Sequence, residues 1–359
     1  MEKMLPVNLD TGITTEVYNF IRLAAILSDA RYLPWFIENF IAINVDQNIF
    51  TSDYYIHNSI EAMQLYSEVL HFRTIEDKTD ICRSIREAID NNGYVELYCD
   101  KYYIPGHPSC NTRHFSHEIA VIGYNDSEKF FHFLDMNINE QFWGIHRISF
   151  AALEESFYAA YRQLLSELDP FRIYDRMFLQ LNLPASIFFL KPLQPGRKPN
   201  LELIYTTLQL SEGGETVQYP FEDFTIVKQV GLNIYRVYYE NLKAVLSGDP
   251  AYLKEHQLVI WGLKRVMENK RGMRFRFQYL MDHGHIACDG SLLTDINRLC
   301  LHLEKAFNLL ARFSNAAKSE FAERAWQYFL NAETLDREIH RRAKNLVFDA
   351  IRQTTFHPL

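Results

Sequence analysis

The sequence predicts an α+β fold: a helix-led first domain with a short antiparallel sheet, then an all-α helical domain. Three observations predict it. Apolar residues recur at helical spacing before residue 90, strand-like runs crowd between 94 and 150, and helical spacing returns after Gly231 and persists. A chain of 359 residues exceeds one ordinary domain. The boundaries read as 1–168 for the first domain, 169–230 for a connecting segment with short strands and loops, and 231–359 for the helical domain.

In residues 16–45, Val17, Phe20, Ile21, Ala24 and Ala25 follow three- and four-residue spacing, and Pro34 divides the segment in two. Thr14 or Thr15 is placed to cap the first helix. Short helices are expected near 59–70 and 77–90, the second closing at "NNG" with Gly93 at C′. "YVELYCD" (94–100), "HEIAVIGY" (117–124), "KFFHFLDM" (129–136) and "GIHRISF" (144–150) alternate as strands, with "NDSE" as the turn of a hairpin. A helix follows to about 168. "SIFFLKPL" reads as a strand, "NLELIYTTLQLSE" as a helix starting after Pro199, and "SEGGETVQYP" as a loop. Helices are then expected at 232–247, 249–269, 271–281, 291–314 and 317–352, with Pro250 at N1 of the second.

The formal charge of -8 disfavours nonspecific binding to nucleic acid or an anionic membrane. "KRVMENKRGMRFR" (264–276) reads as a solvated helix face. Five cysteines without a CxxC pair support neither a zinc site nor a disulfide framework. The start, "MEKMLPVNLDTG", lacks the apolar region of a secretory signal, and no run approaches the ~18 apolar residues of a span. A cytoplasmic protein with reduced thiols is expected. "YLMDHGHIACDGS" (279–291) reads as a helix–helix connection with Asp282 or Asp289 as a cap.

The chemistry concentrates in "HPSCNTRHFSHEIAVIGYNDSEKFFHFLDMN". A hairpin centred on Asp126 sets His117 opposite Asp135, and directly opposed Cβ atoms lie ~4.5–5.5 Å apart. An imidazole with a carboxylate behind it is the general base of nucleophilic acyl transfer; a simple polar clasp is the plainer reading. His107, His114 and His117 have spacings of seven and three, which match no zinc pattern. Cys110, beside Arg113, His107 and His114, is one candidate nucleophile. Cys82 and Cys99 read as packing residues.

The segment "YYIPGHPSCNTRHFSHEIAVIGYNDSEKFFHFLDMN" resembles the N-terminal domain of the butirosin-biosynthesis acyltransferase family, whose members are similar in fold to papain-like cysteine peptidases. The resemblance rests on Tyr102, Tyr103 and Pro105, on Phe115 and His117, on Gly123 and Tyr124, and on Asp135. It covers about 35 residues clearly and 1–165 loosely. It implies natural-product biosynthesis beside a nonribosomal peptide assembly line: acyl transfer, release or cyclisation of a carrier-bound acyl or peptidyl thioester. His117 is then the base, Asp135 its orienting carboxylate, and Tyr103 and His114 contact substrate. The family's nucleophile is a cysteine at the start of the first long helix. Here no cysteine precedes Cys82, and "NLDTGITTEVYNF" offers Thr14 instead. The incoming amine can also attack directly with His117 as base.

Expected partners are an acyl or peptidyl carrier protein and a small-molecule or peptide acceptor, with a homodimer as the oligomeric option and neither cofactor nor metal. The alternative is a catalytically silent relative serving an assembly line as a binding or scaffold protein; a peptidase depends most on the absent thiol.

Overall fold

A computed structural model describes residues 2–47, 54–57, 62–167, 185–213, 216–221, 224–246, 257–316 and 318–356. The chain is α+β, with an antiparallel sheet in its first half and a helical C-terminal region. It divides into two compact units interleaved in sequence: Met1–Tyr32 with Met63–Pro195, and Leu33–Ala62 with Gly196–Leu359. The reading from sequence placed its divisions at 168 and 231 instead. The first division falls next to Pro34, where the helical pattern had already broken. The boundary at 168 lies outside the described residues.

The first unit is built on β1 (Glu2–Met4), β4 (Leu70–Thr74), β5 (Tyr94–Asp100), β6 (Ser116–Asn125), β7 (Phe130–Ile138), β8 (Gln141–Ser149) and β9 (Ala185–Leu190). Their order is β4-β9-β5-β6-β7-β8, with β1 on the far half of β6. The four central strands lie where alternation predicts them, because each is an apolar run closed by turn residues. The sheet is larger than expected since β1, β4 and β9 join it from distant segments.

Helix α1 (Val17–Ile26) covers one face. Phe20, Leu23 and Ala24 are buried, and Arg22 reaches into the sheet to pair with Glu96 at 3.0 Å, both fully enclosed. Phe20 stacks on Trp143 of β8 with ring centroids 3.8 Å apart. Helix α5 (Phe150–Glu167) packs on β5, burying Leu153, Phe157 and Ala160, and Ser156 donates to the Asp100 carbonyl at 2.8 Å. Each buried side chain of this size contributes about 1.5–3 kcal/mol. Helix α4 (Ile81–Asp90) is capped by Asp80, whose carboxylate accepts the Arg83 N–H at 2.9 Å. At its far end Asn92 takes the left-handed conformation at φ 63°, in place of Gly93, and the Gly93 N–H closes on Ala88 O.

The second unit begins with α2 (Leu33–Glu38). It has its own antiparallel sheet, in which β2 (Asn44–Gln47) and β3 (Tyr54–His57) join β10 (Thr216–Phe221) and β11 (Phe224–Val230) in the order β10-β11-β2-β3. "ETVQYP" thus contains strand rather than loop. It pairs with the neighbouring β11, and it is β11 that reaches far back in the chain to β2. Gly231 follows with φ 65°; its N–H reaches Ile43 O at 2.7 Å, and a Cβ there would run into the Ser211 backbone.

The helices of this unit are α6 (Leu201–Gly213), α7 (Ile234–Leu246), α8 (Gln257–Asp282), α9 (Gly290–Ala316) and α10 (Ser319–Phe356). Along α9 the buried stripe is Leu292, Ile296, Leu299, Leu303, Ala306, Leu310 and Phe313; α10 answers with Ala322, Ala325, Phe329, Ala332, Ile339, Ala343 and Val347. Large residues against alanines let the two helices approach closely. The break expected at 270 does not occur, and α8 runs through Gly272. The proposed Pro250 helix start lies outside the described residues.

The 264–276 segment is also not a solvated face, for Arg265, Glu268, Asn269, Lys270 and Arg276 are buried. Lys270 pairs with buried Asp336 of α10 at 2.9 Å, Tyr235 donates to the same carboxylate at 3.0 Å, and His340 Nδ1 lies 3.0 Å from its other oxygen while bonding the Asp336 carbonyl at 2.9 Å. Arg276 donates to Asn39 O at the end of α2 and lies over the Phe36 ring. Between α8 and α9, Asp289 caps as expected, its carboxylate accepting the Ser291 and Leu292 N–H groups at 3.1 Å each. Among the described residues no helix is long and apolar enough to cross a membrane.

Candidate functional site

The site grows from the ends of β5 and β6. Their register sets Cys99 opposite His117 and Asp100 opposite Ser116, so the loop 101–115 must leave one strand end and return to its neighbour. Asp100 makes that closure. One carboxylate oxygen accepts the N–H groups of Tyr102 and Phe115 at 3.0 and 3.1 Å, and the other meets His114 Nδ1 at 2.5 Å. The carboxylate is buried, whereas the His114 side chain is 59% exposed and stacks on Tyr102 at 4.5 Å. Tyr103 lies 6.2 Å from the same imidazole, so the two residues expected to contact substrate do stand together.

His117 has a different partner from the one expected. Its Nδ1 lies 2.8 Å from Glu118 Oε2, and its ring sits beside Tyr98 and Phe115 at 6.4 and 5.6 Å. Burial pushes the Glu118 carboxyl up, but the His117 hydrogen bond and charge, helped by Lys101, outweigh it and leave the group below its ordinary value. The His117 side chain is 32% exposed.

Asp135 is engaged elsewhere. Both its oxygens receive the Lys101 ammonium at 2.8 Å, one also accepts the Met136 N–H at 2.8 Å, and the ion pair is buried. The expected opposition of His117 and Asp135 fails because the ladder is displaced by two residues. Leu134 faces Ala120 and Phe133 faces Val121. Two local features displace it: a turn of four residues between Asn125 and Phe130, and a register shift between Val121 and Gly123. The Asn125 side chain builds the turn by accepting the Ser127 and Glu128 N–H groups at 3.0 Å each.

Alternation keeps the two groups on one face, two positions out of register. Met136 pairs with Trp143, which stacks on α1, so Asp135 projects to the face away from α1. Glu96 meets α1, so Tyr98 shares that face, while the position of His117, opposed to Cys99, alternates onto the other face, that of Asp135; the two groups differ in register, not in face.

The candidate nucleophiles are placed as follows. The N-cap of α1 is Glu16, not Thr14 or Thr15, and no side chain caps it. Thr14 lies upstream, its carbonyl accepting Trp143 Nε1 at 2.8 Å. Cys110 is half-buried in the loop, its N–H bonded to His107 O at 2.9 Å. Cys99, directly across from His117, is fully buried, and burial pushes its thiol up to about 12. Burial does the same to Cys82, also to about 12, so neither thiol supplies a thiolate at neutral pH. His107 accepts the Ser109 N–H at Nδ1 (3.0 Å), and burial together with the Lys101 charge lowers its pKa, keeping it neutral.

Glu118, Asp100 and Lys101 are residues of the candidate site that sequence reasoning missed. Each adjoins a residue that was singled out: "HE" at 117–118 and "DKYY" at 100–103. Among the described residues no group of three or more His, Cys, Asp or Glu side chains is positioned to hold a metal ion. The arrangement therefore offers two carboxylate-held imidazoles on one sheet end, suited to moving protons. Compared with known proteins, the chain matches no family model and no curated protein sequence.

Proposed function

We propose that this protein transfers an acyl or peptidyl group from a carrier-protein thioester to an amine, with His117 as general base. The observation that carries the reading is the His117–Glu118 pair at 2.8 Å. A carboxylate on Nδ1 fixes the tautomer and steadies the imidazolium, which leaves Nε2 to accept a proton. Glu118 takes the orienting role that the resemblance assigns to Asp135, and the Lys101–Asp135 pair anchors the strand end.

In the reaction the amine nitrogen attacks the thioester carbonyl carbon. The C–N bond forms, the amine proton passes to His117 Nε2, and the C–S bond breaks with its electron pair passing to the departing sulfur. Direct attack needs no enzyme thiol, which suits a chain whose Cys82 and Cys99 are held protonated. The papain-like reading is supported by the order of the motif residues on an antiparallel sheet with α1 on one face.

The test is incubation with acylated carrier protein and candidate amines, following acyl loss by intact-mass spectrometry. His117→Ala should abolish turnover, and undiminished turnover in that variant overturns the role. The second reading, a silent scaffold relative, is favoured by the engagement of Asp135 with Lys101. It predicts carrier binding with no acyl loss for any acceptor.

A further inference from the structure

The mechanism above uses one of the two carboxylate-held imidazoles and leaves the other without a task. His114 and His117 differ in how they are held. His117 relies on the carboxylate of the adjacent residue, whereas His114 is fixed from another strand by Asp100, a buried group that also accepts two backbone N–H bonds. Its ring rests on Tyr102, with Tyr103 beside it, and stands well exposed at the mouth of the loop. A carboxylate bound at Nδ1 orients the ring and turns Nε2 away from the protein. Closing the loop alone would not require an imidazole: the two backbone N–H bonds to Asp100 already do that.

We propose that His114, positioned by Asp100, is the general acid of the same acyl transfer, protonating the departing sulfur while His117 deprotonates the attacking amine. The proposal rests on the acyl-transfer reading of this sheet end. The accounting is complete: the amine N–H proton goes to His117 Nε2, the C–N bond forms, and the C–S bond breaks. The His114 N–H proton goes to sulfur, giving a free thiol, and solvent exchange returns both imidazoles to their starting forms. The acid matters in proportion to the basicity of the leaving thiolate. An alkyl thiolate is basic enough to draw a proton from an imidazolium, and an aryl thiolate is a better leaving group that needs none.

The experiment compares the full-length protein with His114→Gln and His117→Gln on two probes, the acetyl thioesters of N-acetylcysteamine (alkyl) and thiophenol (aryl), with a primary amine as acceptor. Circular dichroism and thermal melting establish that both variants fold. His114→Gln should lose at least about tenfold more kcat/KM on the alkyl than on the aryl probe. His117→Gln should slow both alike. Equal losses on the two probes, or none, would overturn the acid role of His114 while leaving His117 as base. If the unaltered protein turns over neither these probes nor a carrier-bound acyl group, the acyl-transfer reading falls and this one with it.

Discussion

At the scale of single residues, a histidine's usefulness depends on what holds its second nitrogen. His117 and His114 have carboxylates there, and His107 has a backbone N–H donor, so only the first two have a carboxylate to orient the ring. Glu118→Gln should therefore slow acyl transfer by roughly 10²-fold or more while the fold persists, because an amide no longer stabilises the imidazolium. Steady-state kinetics on acylated carrier protein would measure this. An unchanged rate would return the orienting role to another group. Gly123 is a residue-scale constraint of a different kind. A Cβ there would meet Lys3 O at 2.6 Å and Met4 Cα at 2.9 Å, where β1 crosses β6. Gly123→Ala should cost about 1–3 kcal/mol and loosen β1. The loss would show in denaturation and in faster exchange of the Leu5 N–H, which donates to Ile122 O.

Elements show why the two units tolerate charges in their interiors. Arg22, the one cation of α1, meets Glu96 because the helix lies over the middle of β5, where that acid stands. In the helical unit Lys270, Tyr235 and His340 converge on Asp336. Burial opposes the charge on Asp336, but Lys270 and His340 overcome it and hold the carboxyl far below its ordinary value. Asp336→Asn would strand a buried ammonium, and the expected loss is ~3–5 kcal/mol. Urea denaturation of the full chain would detect it, and a loss under about 1 kcal/mol would mean that the network is dispensable. The helices containing these residues were legible from apolar spacing. Their charged members were not, since a lysine on α8 reads as solvent-facing until α10 supplies its aspartate.

For the whole molecule, the histidines set the response to mild acid. His107, His132 and His146 are each lowered below 6.5, first by burial, with Lys101 adding to it at His107 and Arg147 at His132. Groups depressed in this way are neutral in the folded state while the unfolded chain takes up protons, so folding stability is full above about 6.5 and falls as the pH drops. Asp289 does not act in this window. The Ser291 and Arg342 bonds hold it at about 2, so its contribution persists above the ordinary carboxylate range and is lost only as pH falls through about 2. The melting temperature should be lower at pH 5.5 than at 7.5, and a flat profile between them would contradict the neutral burial of these rings.

By itself the sequence determined the local elements: the strands at 94–150, the helices flanking them and the helical second half. Periodicity and turn residues act within a few positions of each other, so they can be read without the fold. It also singled out His114 and His117, which lie on one loop and strand end. Only the tertiary structure decided the partners. A turn of four residues and one register shift moved Asp135 past His117 and onto Lys101, leaving Glu118 and Asp100 to hold the imidazoles. Register sums small displacements along a whole hairpin, and alternation turns each into a change of neighbour or of face. Likewise, only pairing across distance joined 44–57 to 216–230 and placed the charges of α8 in a core. Such pairings depend on which surfaces meet, and no local spacing in the chain records that.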